Sequence, residues 1–301
     1  MAEECGESMA ERHSQNESIL VRFARQFGFG WRAYAIPVLI VLTIWVIVDI
    51  VVSDPKADTA ATNSGVITVG EGPTMAAPDP AADAIAALPG GTLPAGGAYT
   101  MQGEKTFRTV GSPQPRVGQG EEKTFTYIVQ VENGVNTAGY GGDEAFAAMV
   151  DATLKNPKSW INDPKFAFEH VGEDVEPDFT VQLTSVNTTH EGCGAEIDME
   201  TSCFTSIGNR VLINESRWVR GTGVFAGDIG SYRQYVLNHE IGHAIGFAEH
   251  TPCGADGELA PIMMQQTLSL NNSELFSITP EGPYPDDHKT CRYNPWPFPH
   301  A

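Results

Sequence analysis

Residues 238–250 read Asn-His-Glu-Ile-Gly-His-Ala-Ile-Gly-Phe-Ala-Glu-His, and this stretch restricts the fold more than any other. His239 and His243 are four residues apart, a spacing that brings two side chains to one face when the backbone is helical. Ile241, Gly242, Ala244 and Ile245 fill the gaps, and all are uncharged. Tyr235 and Val236 precede them, so the helix is predicted to lie inside a core. Gly246 is free to adopt positive φ, which predicts a sharp turn at the helix end. The domain must then be assembled around a buried helix that carries two imidazoles on one side.

Two imidazoles so placed can both reach one Zn²⁺ at about 2.0–2.1 Å. Glu240 follows the first of them and suits a general base that touches water without binding the metal. A third ligand soon after the turn would come back toward the ion. Glu249 and His250 compete for that place, the first giving two histidines and a carboxylate, the second three histidines. The plainer alternative is a buried helix whose histidines only hydrogen-bond. His170, His190, His288 and His300 have no ligand spacing and read as surface or hydrogen-bonded residues.

A second feature divides the chain. From Ala33 to Val52 runs AYAIPVLIVLTIWVIVDIVV, with Asp49 its one charge. As a helix it is long enough to cross a bilayer core of about 30 Å. Arg12, Arg22, Arg25 and Arg32 precede it, and Lys56 alone follows for many residues. This asymmetry places residues 1–32 in the cytoplasm and everything after the span outside. The run is longer than the apolar part of a cleaved signal, and its leading region is too long, so an uncleaved anchor over 33–52 is expected.

Residues 53–96 are rich in Ala, Gly, Pro and Thr and almost lack aromatic residues, a composition that reads as a flexible tether. Residues 97–301 have the size of one domain. Phe125–Val131 alternates as a strand, and Asp143–Leu154 carries a helical apolar stripe behind an acidic start. Lys165–Val171, Asp178–Thr184 and Arg210–Asn214 read as strands, and Ser231–Gly246 as the second strong helix. That order implies an α+β or α/β-like domain with a mixed, twisted sheet.

Cys5 lies on the cytoplasmic side. Cys193, Cys203, Cys253 and Cys291 lie outside, an even number in an oxidising compartment. Three pairings are open; Cys193–Cys203 and Cys253–Cys291 are preferred because each pair brackets one loop region. The formal net charge of -20 argues against nucleic acid as a partner, since that role needs basic patches.

The helix resembles the metzincin metallopeptidases, whose signature is H-E-x-x-H-x-x-G-x-x-H followed by a Met-turn. His239, Glu240, His243 and Gly246 match it; Glu249 stands at the expected third-ligand position and His250 one residue beyond. The resemblance implies a zincin-like domain, favours His250 as third ligand, and assigns the Met-turn to Met263, with Met264 in reserve. A Tyr that some of these enzymes carry just after that Met is absent, since Gln265 and Gln266 follow. The segments around Tyr232, Thr251-Pro-Cys253, Pro261–Thr267 and Cys291–Trp296 also resemble an uncharacterised bacterial family of metzincin-like domains, exported or anchored in actinomycete-type envelopes. The expected activity is Zn²⁺-dependent hydrolysis of a peptide or protein substrate outside the membrane. A zinc amidase acting on cell-wall peptides, or a non-catalytic envelope module with a zinc site, are the alternatives. The Tyr293–Pro299 end reads as a packed, Pro-stiffened tail.

Overall fold

The computed structural model describes residues 88–194 and 199–301, together with Val38, Val41, Thr43 and Ile44. The chain divides into two units, Met1–Pro73 and Thr74–Ala301. The four described positions of the first unit are helical. The remainder of the expected 33–52 span, the N-terminal tail with Cys5 and most of the expected tether lie outside the described residues. Among the described residues no helix is long and apolar enough to cross a membrane.

The core of the second unit is a seven-stranded mixed sheet: β1 (Phe107–Thr109), β2 (Gln114–Gly118), β3 (Lys123–Glu132), β4 (Phe166–His170), β5 (Phe179–Thr184), β6 (Cys203–Thr205) and β7 (Arg210–Asn214). The order is β2-β4-β3-β5-β7-β6, with β1 also paired to β3. The strands β4, β3, β5 and β7 run parallel, whereas β1, β2 and β6 are antiparallel to their neighbours. Among the described residues five helices accompany it: α1 (Gly142–Lys155), α2 (Val186–Cys193), α3 (Glu215–Arg220), α4 (Ile229–Ala244) and α5 (Asn272–Ile278).

Register explains the core. Val129, Val181 and Val211 form one row across three strands, and Val131, Leu183 and Ile213 the next. Side chains two apart share a sheet face, so both rows face one way, where Phe146, Val150 and Leu154 of α1 and Leu237 and Ile241 of α4 join them. Each such side chain contributes about 1.5–3 kcal/mol when fully buried. Leu212 points to the opposite face, against Gly192 of α2. A second cluster, with Met264, Leu268, Leu275 and Tyr284, forms after α4 and is crossed by the Cys253–Cys291 disulfide.

β5 and β7 are internal strands, and among the described residues the edge on that side is β6. Chain before residue 97 is docked as well. Arg217, fully buried, donates through Nη2 to the Gly91 carbonyl and through Nη1 to that of Thr92. A buried guanidinium needs such acceptors, and small residues that read as tether supply them. The tail at residues 293–299 packs in place, with buried Asn294 donating to the Ala260 carbonyl.

Candidate metal centre

Helix α4 is buried on nearly every side, from Tyr232 through Gly242, as expected of a helix without a solvent face. The Asp228 carboxylate caps its start by accepting from the Ser231 N–H at 3.0 Å. Its end is a Schellman closure: Phe247 N–H donates to the Gly242 carbonyl and Gly246 N–H to that of His243. Gly246 has φ +114°, so the turn expected there is present and has the backbone that favours glycine.

Immediately before the histidines the helix is pinned by neighbouring loops. Trp160 Nε1 donates to the Asn238 carbonyl at 2.9 Å, and Ser159 Oγ donates to Asn238 Oδ1 at 2.7 Å. Gly242 lies between the two histidines in sequence, and a Cβ there would meet Met263 Sδ at 2.6 Å and Trp160 Cζ2 at 2.8 Å. Met263 therefore sits directly against the helix, on a turn closed by Met264 N–H to the Pro261 carbonyl. Met264 belongs to the second cluster.

His239, His243 and His250 converge, each offering one ring nitrogen within 4.8 Å of the other two. Glu249 is exposed and outside this group. The ring tautomers follow from the partners. His239 Nδ1 lies 2.8 Å from the Ile262 carbonyl, and His243 Nδ1 lies 2.7 Å from that of Phe247. A carbonyl only accepts, so both Nδ1 atoms carry hydrogen and both Nε2 atoms hold a free lone pair. His239 Nε2 is buried and, among the described residues, has no hydrogen-bond partner. Such an orphan is costly unless something binds it. Burial lowers the basicity of all three rings, that of His239 well below the ordinary value and that of His250 to about 4. The group presents neutral nitrogen donors near neutral pH, which suits a borderline cation such as Zn²⁺.

Glu240 is buried, and burial pushes its carboxyl up to about 8, against the Phe204 N–H, which donates to it and pulls the other way. Phe204 is the middle residue of β6, so the sheet edge touches the acid directly. Glu240, His243 and His250 open into a cavity of about 470 Å³, large enough for part of an extended peptide. Its wall also includes His190, Phe204 and Gln265 together with the Cys193–Cys203 disulfide. Both disulfides are those preferred from the sequence.

Sequence reasoning did not single out His190, Phe204 or Gln265 for the site. His190 has no ligand spacing, and a three-residue strand leaves no readable period. His170 is elsewhere, buried in the core with Nδ1 3.0 Å from Asp151 Oδ1, an atom that also accepts from Tyr127 Oη at 2.8 Å. His288 and His300 are exposed.

Neither curated proteins nor solved structures give a match to this chain. A family model described as a protein of unknown function, DUF3152, matches residues 93–299, a span that holds α4, the three histidines, the cavity and both disulfides. The chain belongs to that family.

Proposed function

We propose that this protein is a zinc-dependent peptide-bond hydrolase of metzincin type, held at the outer face of a membrane by residues 33–52. The observation that carries the reading is the convergence of three imidazoles, with His239 Nε2 buried and unpaired among the described residues, beside a buried Glu240 that opens with His243 and His250 into one cavity. His239, His243 and His250 would hold the ion. When bound, zinc supplies Lewis acidity toward a carbonyl oxygen and acidifies a water.

The chain's own residues supply the rest. Glu240 accepts a proton from the attacking water and returns it to the leaving amine, which balances the proton across hydrolysis. The edge strand β6 lies beside Glu240 and, among the described residues, has no partner strand on its outer side, so an extended peptide can lie along it. The outside location draws on the arginine-flanked apolar run and on the two disulfides, bonds that persist in oxidising compartments.

The test is metal analysis of the full-length protein in detergent, with peptide-library digestion beside Glu240→Ala. One zinc per chain is expected in both proteins, with hydrolysis lost in the variant. A folded protein that takes up no metal overturns the reading, as does undiminished cleavage by Glu240→Ala.

A further inference from the structure

The cavity continues past the three histidines onto α2, where His190 stands on its wall. His190 Nε2 lies 3.2 Å from Glu200 Oε2. That oxygen also accepts from Asn214 Nδ2 at 2.7 Å, and the Glu200 carbonyl accepts from Arg217 Nε at 2.6 Å. Asn214 and Arg217 are both fully buried, so the carboxylate is fixed from the core side. With a carboxylate as its acceptor, a neutral His190 ring carries its hydrogen on Nε2 and leaves Nδ1 with a lone pair. Among the described residues nothing donates to Nδ1. The side chain is 40 % exposed, and so within reach of whatever enters the cavity.

This wall is also cross-linked. Cys193, three residues along α2 from His190, is bonded to Cys203 of β6, which ties the helix end to the sheet edge. A selective contact requires its residue to be held in place. Among the described residues no lysine or arginine lines the cavity, and the chain is strongly acidic. An acceptor in such surroundings favours hydrogen-bond donors and disfavours carboxylates.

We infer that His190 is a specificity-determining residue that takes a hydrogen-bond-donating side chain of an extended peptide, a hydroxyl, carboxamide or ammonium group. The inference rests on the peptidase reading for its substrate class. Unlike Glu240, His190 acts on the choice of peptide and not on the bond broken.

The experiment compares zinc-loaded full-length wild type with His190→Phe and His190→Ala on one peptide library. Wild type is expected to prefer Ser, Asn or Lys over Ala or Asp by about tenfold at one position near the scissile bond, the scale of one added hydrogen bond. That ratio falls to about one in both variants. A ratio unchanged in both, or a wild-type preference for Asp there, overturns the inference. If wild type cleaves no peptide, the peptidase reading fails, and retention of the same peptides on immobilised wild type and variants decides the subsite. Donor-selective retention lost with His190 upholds it; retention without that selectivity overturns it.

Discussion

At His239 the two ring nitrogens have separate tasks: one donates to the Ile262 carbonyl, and the other is left buried and bare. Glu240, next along the helix, is also buried, and its cost can be read from pH in metal-free protein. Burial raises its folded affinity for protons to about 8 from an ordinary 4.5. Between those limits the folded state binds more protons than the unfolded one, so stability falls as pH rises through that window. Glu240→Gln removes the penalty. Chelator-treated Glu240→Gln is expected to unfold at higher denaturant than wild type, with a gap that opens above pH 4.5 and levels near 8. Its slope cannot exceed about 1.4 kcal/mol per pH unit. A constant gap across that range removes burial as the source of the shift.

The helix α4 places these residues, and Gly242 sets how closely Met263 and Trp160 approach it. Trp160 cannot yield easily, because Nε1 is held by the Asn238 carbonyl. For Gly242→Ala, alanine's better helix propensity gains at most about 1 kcal/mol, against overpacking that costs about 1–3 kcal/mol. The variant is expected to lose roughly 1–2 kcal/mol in denaturant unfolding and to bind zinc more weakly, since the Ile262 carbonyl that orients His239 is next to Met263. Equal stability would show that the turn relaxes freely. Which elements the sequence revealed follows from their length and burial. Helix α4 announced itself by histidine spacing and uncharged gaps, α1 by its stripe, β3 by its alternation, and β7 as a short buried run. The edge strand β6 and helix α2 were not legible: one has three residues, and the other, VNTTHEGC, is polar and rich in residues that compete with a helical backbone. The cavity wall is made of these two elements, so the histidines could be read in advance while their surroundings could not.

Across the whole folded unit, the three histidines join two regions that otherwise have separate cores. His239 and His243 belong to the helix packed on the sheet, whereas His250 opens the segment that leads into the second cluster. An ion shared among them ties the end of α4 to the chain that follows it, and the unfolded chain offers no such preformed site. Binding to the folded state alone then stabilises by about 4 kcal/mol at a thousandfold excess over Kd. For a domain of this size each kcal/mol moves the midpoint by roughly 2–4 °C. Zinc is therefore expected to raise Tm by roughly 8–16 °C, reversibly with chelator. The same titration separates the two candidates for the third ligand. His250→Ala should lose nearly all of the gain, because it removes one of three converging donors. Glu249→Ala should keep it, because that side chain is exposed and apart from the group. The opposite pattern would mean that the segment after Gly246 shifts when metal binds, bringing the carboxylate in and sending the imidazole out.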